Sequence, residues 1–336
     1  MPALSALVRA VRTAVATVLA AASIGGASAS RAAADETVAT TVPALIVTSI
    51  SVPQGTLRVS LPSDVAAGDT ISGTVVAEPA GRSDAERRAN AATLDGYVVE
   101  AGATKTRAAQ RAIVFLVPPA ATTATILVRR SSGEIAGRTD VPVRVQQAAP
   151  LRQAAPSDFR FPQHAAAGQP FRISGPFSGN VATVSLTVGG RPAEVIAESP
   201  RMLVAAPPAA FAGPGRMRLS ESGVSSAAPC RVVSLTLSAP STRITKGAHV
   251  PVHIVVGGLE GLQETLRVRL VNATPDVVAL AGGDAQVLRI RPDEVAAGGQ
   301  HAQERDLAGL RAGSFSLSAT LDEPVPQIQG SAPVPP

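Results

Sequence analysis

The chain has 336 residues, of which 45% are apolar but only 2% aromatic, with no Trp and a single Tyr, Tyr97. That shortage disfavours carbohydrate modules, which lay sugar rings on exposed Trp or Tyr, and single-stranded nucleic-acid readers, which need stacking platforms. The net charge of +5 comes from 30 basic residues, all Arg except Lys105 and Lys246, scattered among 25 acidic ones, so no basic stripe marks a nucleic-acid interface.

Arg9 and Arg12 precede the uncharged run Thr13–Ile24, and small residues come after it. This is the order of a secretory signal, with Ala27-Ser28-Ala29 as the cleavage site and Ala32-Ala33-Ala34 as a second candidate. The apolar run is shorter than the roughly 20 residues that span a bilayer. Residues 1–29 are therefore expected to be a signal peptide that sends the chain to the periplasm, the cell surface or the medium. Residues 30–53 are Thr- and Val-rich and read as a leader or an added strand of the first domain.

From there the dominant period is two. Leu57, Val59 and Leu61 alternate with Arg58 and Ser60, a strand with one face in a core and one in water. Ser83 with Glu86 three residues on has the spacing of a capping box and predicts a short helix or ordered loop over Ser83–Leu94. The run Ile113–Val117 is apolar throughout and predicts a strand covered on both faces. Residues 148–157, Pro- and Ala-rich without periodicity, read as a linker. Alternation returns in Val184–Val188, in Leu266–Leu270 and in Phe315–Leu321, and the tail 323–336 is Pro-rich. Gly and Pro punctuate the runs as in an all-β sandwich or barrel. The cores are expected to be aliphatic, and Cys230, which has no intrachain partner, to be a small buried hydrophobe.

One phrase recurs. Asp64–Gly73 reads DVAAGDTISG and His164–Gly175 reads HAAAGQPFRISG, and Arg243–Val256 repeats the same grammar around Gly247. A Gly before each strand permits a turn with positive φ. Copies spaced by a domain length predict three sandwiches, at 54–147, 158–232 and 233–322, each of immunoglobulin-like size.

The middle segment resembles the IPT/TIG domain. The resemblance is carried by Gly168, the strand Phe171-Arg172-Ile173, Gly175 with Phe177, Val188-Gly189-Gly190 with Ala193, Pro207-Pro208, and Gly213 or Gly215 before a last strand after Ser222-Gly223. It implies an immunoglobulin-like fold, found in cell-surface receptors, bacterial surface and secreted proteins, some polysaccharide-acting enzymes and certain transcription factors, and brings no catalytic residues with it. The flanking segments resemble bacterial immunoglobulin-like domains more loosely. The fold class expected is all-β, tandem immunoglobulin-like sandwiches after a signal peptide.

Chemistry is sparse. His249 and His253 lie four apart around Pro251 and are the one weak metal candidate; no Asp, Glu or Cys nearby is expected to complete a ligand set. Asp276, Asp284, Asp293 and Glu294 read as solvated loop charges, not a calcium loop. Asn272-Ala273-Thr274 matches a glycosylation acceptor by chance. Arg267 and Arg269 alternate outward and predict a basic sheet face. No catalytic residue and no cofactor is assigned. The reading is a non-enzymatic, structural or adhesive protein that presents protein-binding surfaces at the bacterial cell envelope or outside it. Its partners are protein, with no nucleic acid and carbohydrate disfavoured. The alternatives are an accessory or chaperone-like binding subunit that pairs strands with its partner through a sheet edge, and a hydrolase whose site is assembled from distant residues.

Overall fold

The computed structural model describes residues 45–119, 121–147 and 155–322. The segment expected to be a signal peptide (1–29), the first part of the expected leader (30–44), the Pro-rich tail and most of the expected linker lie outside them. The described residues divide into two compact units, 45–234 and 235–322.

The first unit opens with β1 (Leu45–Val52), β2 (Gly55–Pro62), β3 (Ala66–Ala67) and β4 (Thr70–Pro79), then α1 (Asp84–Asp95). It continues through β5 (Val98–Ala101), β6 (Thr104–Arg107), β7 (Ala112–Leu116), β8 (Thr123–Arg129), β9 (Ile135–Pro142) and β10 (Arg144–Gln147). One sheet runs β1-β2-β4 with β7 on β4, and the other runs β6-β5-β8-β9. Leu57, Val59, Leu61, Ile71, Val75, Val99, Ile126 and Val128 fill the space between them, each at most 1% exposed. The chain that reads as a leader thus contributes β1, paired along its whole length with β2. Ser83 caps α1, its Oγ accepting from the Glu86 amide at 3.1 Å, while Glu86 reaches back to the Arg82 amide at 2.8 Å. The Ile113–Val117 reading is corrected. Val114 is half-buried and Leu116 is 58% exposed, because β7 pairs with β4 at the side of the sheet and only one face meets the core.

The same unit continues with β11 (His164–Ala166), β12 (Phe171–Ser174), β13 (Val184–Val188), β14 (Arg191–Pro192), β15 (Glu194–Ser199), β16 (Met202–Ala206), β17 (Gly213–Glu221) and β18 (Val224–Ser238). Here β15-β16-β12 face β14-β13-β17-β18. Both tight hairpins match their sequence signals: Gly189 and Gly190 have φ of +58° and +77°, and Ser222 and Gly223 have +46° and +85°. This core is not purely aliphatic. Phe159 and Phe177 meet edge-to-face at 5.3 Å, and Phe171 is buried beside them, while Tyr97 and Phe115 are buried in the core of the first sandwich. Cys230 is 4% exposed and packs in the same core.

The two sandwiches of residues 45–234 keep separate buried clusters but share one sheet. β15 pairs with β4 at Glu198 and Ser72, so the strand order runs β1-β2-β4-β15-β16-β12. Ala197, Met202 and Val204 add a small cluster at this join, with Leu45 and Ile196 against it.

The second unit holds β19 (Arg243–Ile244), β20 (His249–Gly257), β21 (Leu266–Asn272), β22 (Val278–Leu280), β23 (Ala285–Ile290), β24 (Gln300–Gly309), β25 (Gly313–Ser314) and β26 (Leu317–Leu321). Its sheets run β20-β24-β22 and β23-β21-β26. Val252, Ile254, Val256, Leu266, Val268, Leu270 and Leu307 point inward, each at most 3% exposed. The fold is all-β throughout, in two-layer sandwiches.

The repeated phrase is one turn made three times. The amide of Asp69 bonds to Ala66 O, that of Gln169 to Ala166 O and that of Ala248 to Thr245 O, at 3.0–3.1 Å. Gly68, Gly168 and Gly247 sit third in each turn with φ of +85°, +70° and +77°, the position where a type II turn needs a residue without Cβ. In the first two copies the alanines before the turn form a short strand parallel to the sandwich's last strand, β3 on β10 and β11 on β18.

Candidate functional site

The polar groups buried most deeply gather where the two sandwiches of the first unit meet. Asp69, directly after the first repeated turn, is 1% exposed. Its Oδ2 accepts from the Ala66 amide at 2.7 Å and from Arg201 Nη2 at 2.5 Å. Arg201 stands on the β15–β16 turn of the other sandwich, and its Nε also lies 3.2 Å from Asp64 Oδ1. A guanidinium fork suits two carboxylates on one turn because its donors are fixed in a plane.

In the same unit, Glu198 on β15 and Glu221 at the end of β17 are 0% and 2% exposed. Both hold the loop after Phe177. Glu198 Oε1 accepts from the amides of Gly179 (2.7 Å) and Asn180 (3.0 Å) and from Ser178 Oγ (3.2 Å). Glu221 Oε1 accepts from the Ser178 amide at 2.8 Å. The loop then crosses to the first sandwich, where the Val181 amide donates to Ser72 Oγ at 3.0 Å. Burial, and next the charge of Glu221, push the Glu198 carboxyl up to about 7.

Elsewhere many charged groups are paired: Glu100, 8% exposed, meets Lys105 and Arg129, and other pairs lie at the surface. His249 and His253 do face one side of β20, but about 13 Å of extended strand separates their Cα atoms at ~3.3 Å per residue. Each has its own carboxylate on β24: His249 Nδ1 is 2.5 Å from Asp306 Oδ2 and His253 Nδ1 is 3.2 Å from Glu304 Oε2. Acidic neighbours thus do stand beside both histidines, supplied across the sheet from over fifty residues away. Among the described residues no group of three or more His, Cys, Asp or Glu is placed to hold a metal ion. Replacing both histidines by Ala is expected to change unfolding free energy by less than about 1 kcal/mol, as exposed ion pairs do; chemical denaturation of the double variant checks this.

Arg267 and Arg269 are not a bare basic face. Both reach Asp322, at 3.3 and 2.7 Å. Asp276 pairs with Arg311, Glu294 caps the Arg291 amide, and Asp284 accepts from Asn272 Nδ2 at 2.8 Å. Asn272 itself is 4% exposed. Its Nδ2 also donates to Val278 O, and its Oδ1 accepts from the Thr274 amide. The side-chain amide is spent on the β21–β22 connection. Asn272→Ala is expected to cost roughly 2–3 kcal/mol by stranding these groups, read as a lowered denaturation midpoint. A depression of about 550 Å³ beside β19 and β25 is lined by Arg243, Ile244, Thr245, Ala248, Val250 and Gly313. It gathers a single charged side chain and no convergent polar set.

Tyr97 is 3% exposed with its hydroxyl donating to Gln54 Oε1 at 2.8 Å, and no Phe is exposed. The described residues therefore offer no aromatic platform. No helix among them is long and apolar enough to cross a membrane.

No protein-family model and no curated protein matches the chain. Solved structures similar to it include the SGBP-B protein of the Bacteroides ovatus mixed-linkage glucan utilization locus in complex with a mixed-linkage heptasaccharide, at 13% identity and a TM-score of 0.23, over 77% of this chain and 73% of that one. The SGBP-B of a complex xyloglucan utilization locus in Bacteroides uniformis matches at 12% identity and 0.25, over 83% and 98%. The D1–D4 ectodomain fragment of ICAM-5 matches at 13% and 0.20, over 79% and 75%. Likeness at this level carries nothing about activity or ligand.

The joint was missed in sequence, although Glu221 left a trace. Met217, Leu219 and Glu221 share one parity of an alternating strand, which aims a carboxylate inward. Glu198 left none, because a register shift between Val195 and Ala197 scrambles the alternation ahead of it.

Proposed function

We propose that the chain is an exported, non-enzymatic protein of three immunoglobulin-like sandwiches, the middle one of IPT/TIG type, with a structural or adhesive task at the bacterial cell envelope. One observation carries the reading. The carboxyl whose titration is displaced furthest, Glu198, is walled in and spends an oxygen on holding a loop between two sandwiches. A catalytic carboxyl must meet a substrate, whereas this one is closed off and holds a loop between two sandwiches. Protein partners fit better than glycans, since no aromatic ring of the described residues is exposed.

The test is affinity capture from the native culture with the secreted full chain as bait, alongside a glycan panel and a hydrolase substrate panel. Recovery of one stoichiometric protein partner supports the proposal. Binding to a glycan without a protein partner overturns the partner class, and turnover of any substrate overturns the non-enzymatic reading.

A further inference from the structure

We infer that Glu198, buried near Glu221, carries a proton in the closed joint, and that this proton is the latch which keeps the Ser178–Val181 loop closed against the first sandwich. Three observations lead there. Both carboxylates are more than nine-tenths buried, and both grip Ser178, one through its amide and the other through its hydroxyl. In each, Oε1 is occupied by N–H or O–H donors while Oε2 has no hydrogen-bond partner. Two buried carboxylates that each keep an unmet oxygen are stable together only if positive charge or a proton enters.

A proton fits better than a metal ion. Calcium gathers six to eight oxygens, and among the described residues no third carboxylate or histidine joins the pair. The charged groups around Glu198 are few. Glu221 on β17 acts on it directly, and Arg201 beyond β15 is already engaged by Asp64 and Asp69. On β4, opposite, stands the neutral Ser72. Among the described residues no cation acts on Glu198 to neutralise its charge.

These groups give the pH effect its sign. Glu198 titrates at about 7 in the closed joint and near its ordinary value of 4.5 once exposed. Closure is fully favoured below the exposed value, weakens tenfold per pH unit as pH rises toward 7, and levels off above it, where both states have lost the proton to solvent. The joint between the sandwiches is thus stiff in a mildly acidic medium and loosens at neutrality.

Hydrogen exchange of the full chain, corrected for intrinsic rate, tests this on the amides of Gly179, Asn180 and Val181. Their protection is expected to fall roughly a hundredfold from pH 5 to pH 8 and to flatten above pH 7, while protection of β2 and β8 stays level. Glu198→Gln keeps the accepting oxygen and removes the charge; it is expected to hold the low-pH protection at every pH, and Glu221→Gln to reduce the slope likewise. Far-UV circular dichroism at pH 5 verifies that the variants fold. Protection that does not change with pH, or a fall that persists in Glu198→Gln, overturns the proposal. So does protection at pH 8 that is restored by 1 mM calcium chloride and abolished by chelator, which would make the pair a cation site.

Discussion

Replacing Arg201 with Ala is expected to destabilise residues 45–234 by about 3–5 kcal/mol, the cost of stripping one partner from a buried ion pair. Asp69 is 1% exposed and its Oδ1 already lacks a hydrogen-bond partner, so the loss of Arg201 leaves the carboxylate held by the Ala66 amide alone. Calorimetry should show the first unit's Tm falling by roughly 10 °C at this unit size, with the transition of residues 235–322 unmoved. Arg201→Lys keeps the charge but not the fork and should recover part of the loss. Removing both charges, as Asp69→Leu with Arg201→Met, should be far milder than the single change, because no unpaired charge remains. A fall of less than about 2 °C in Arg201→Ala would mean that the sandwiches are joined by their shared sheet and apolar contacts instead.

Gly179→Ala is expected to open the same joint from the other side. Gly179 has φ of +82°, and a Cβ there would lie 1.9 Å from the carbonyl oxygen of Thr70. Thr70 opens β4 and is paired with Leu116 of β7, which holds its backbone in place. The loop must move instead, and it takes with it the two amide bonds to Glu198 and the Val181 bond to Ser72. We expect a loss of about 3 kcal/mol or more from broken buried hydrogen bonds and left-handed strain together. Gly190→Ala is the control. It also has positive φ, +77°, but nothing lies within 4 Å of its Cβ, so only about 1 kcal/mol of strain applies. Similar losses in the two variants would show that the Thr70 contact does not matter.

The fold was legible where the chain speaks locally. Leu57, Val59 and Leu61 point inward as their alternation demands, Ser83 caps its helix, and Gly189-Gly190 turns its hairpin, because each depends on neighbours a few residues away. The apolar run at Ile113–Val117 misled, since composition reports how greasy a strand is and not whether a second layer covers it. The joint lay beyond reach for another reason. Ser72 and Val181, or Asp69 and Arg201, are brought together only by the way two sheets merge, and in sequence they are ordinary Ser, Asp and Arg among small residues. The histidines show the same limit, as the carboxylates beside them come from a strand more than fifty residues later.

The parallel pairing of β11 with β18 has a mechanical meaning. His164, Ala165 and Ala166 lie beside Arg231, Val232 and Val233 on strands that run the same way, and the chain comes into this sandwich by the one and leaves by the other. Tension applied along the polypeptide therefore drags the two strands past each other lengthwise, so their bonds share the load and must fail together, where an antiparallel pair pulled from its open end would unzip bond by bond.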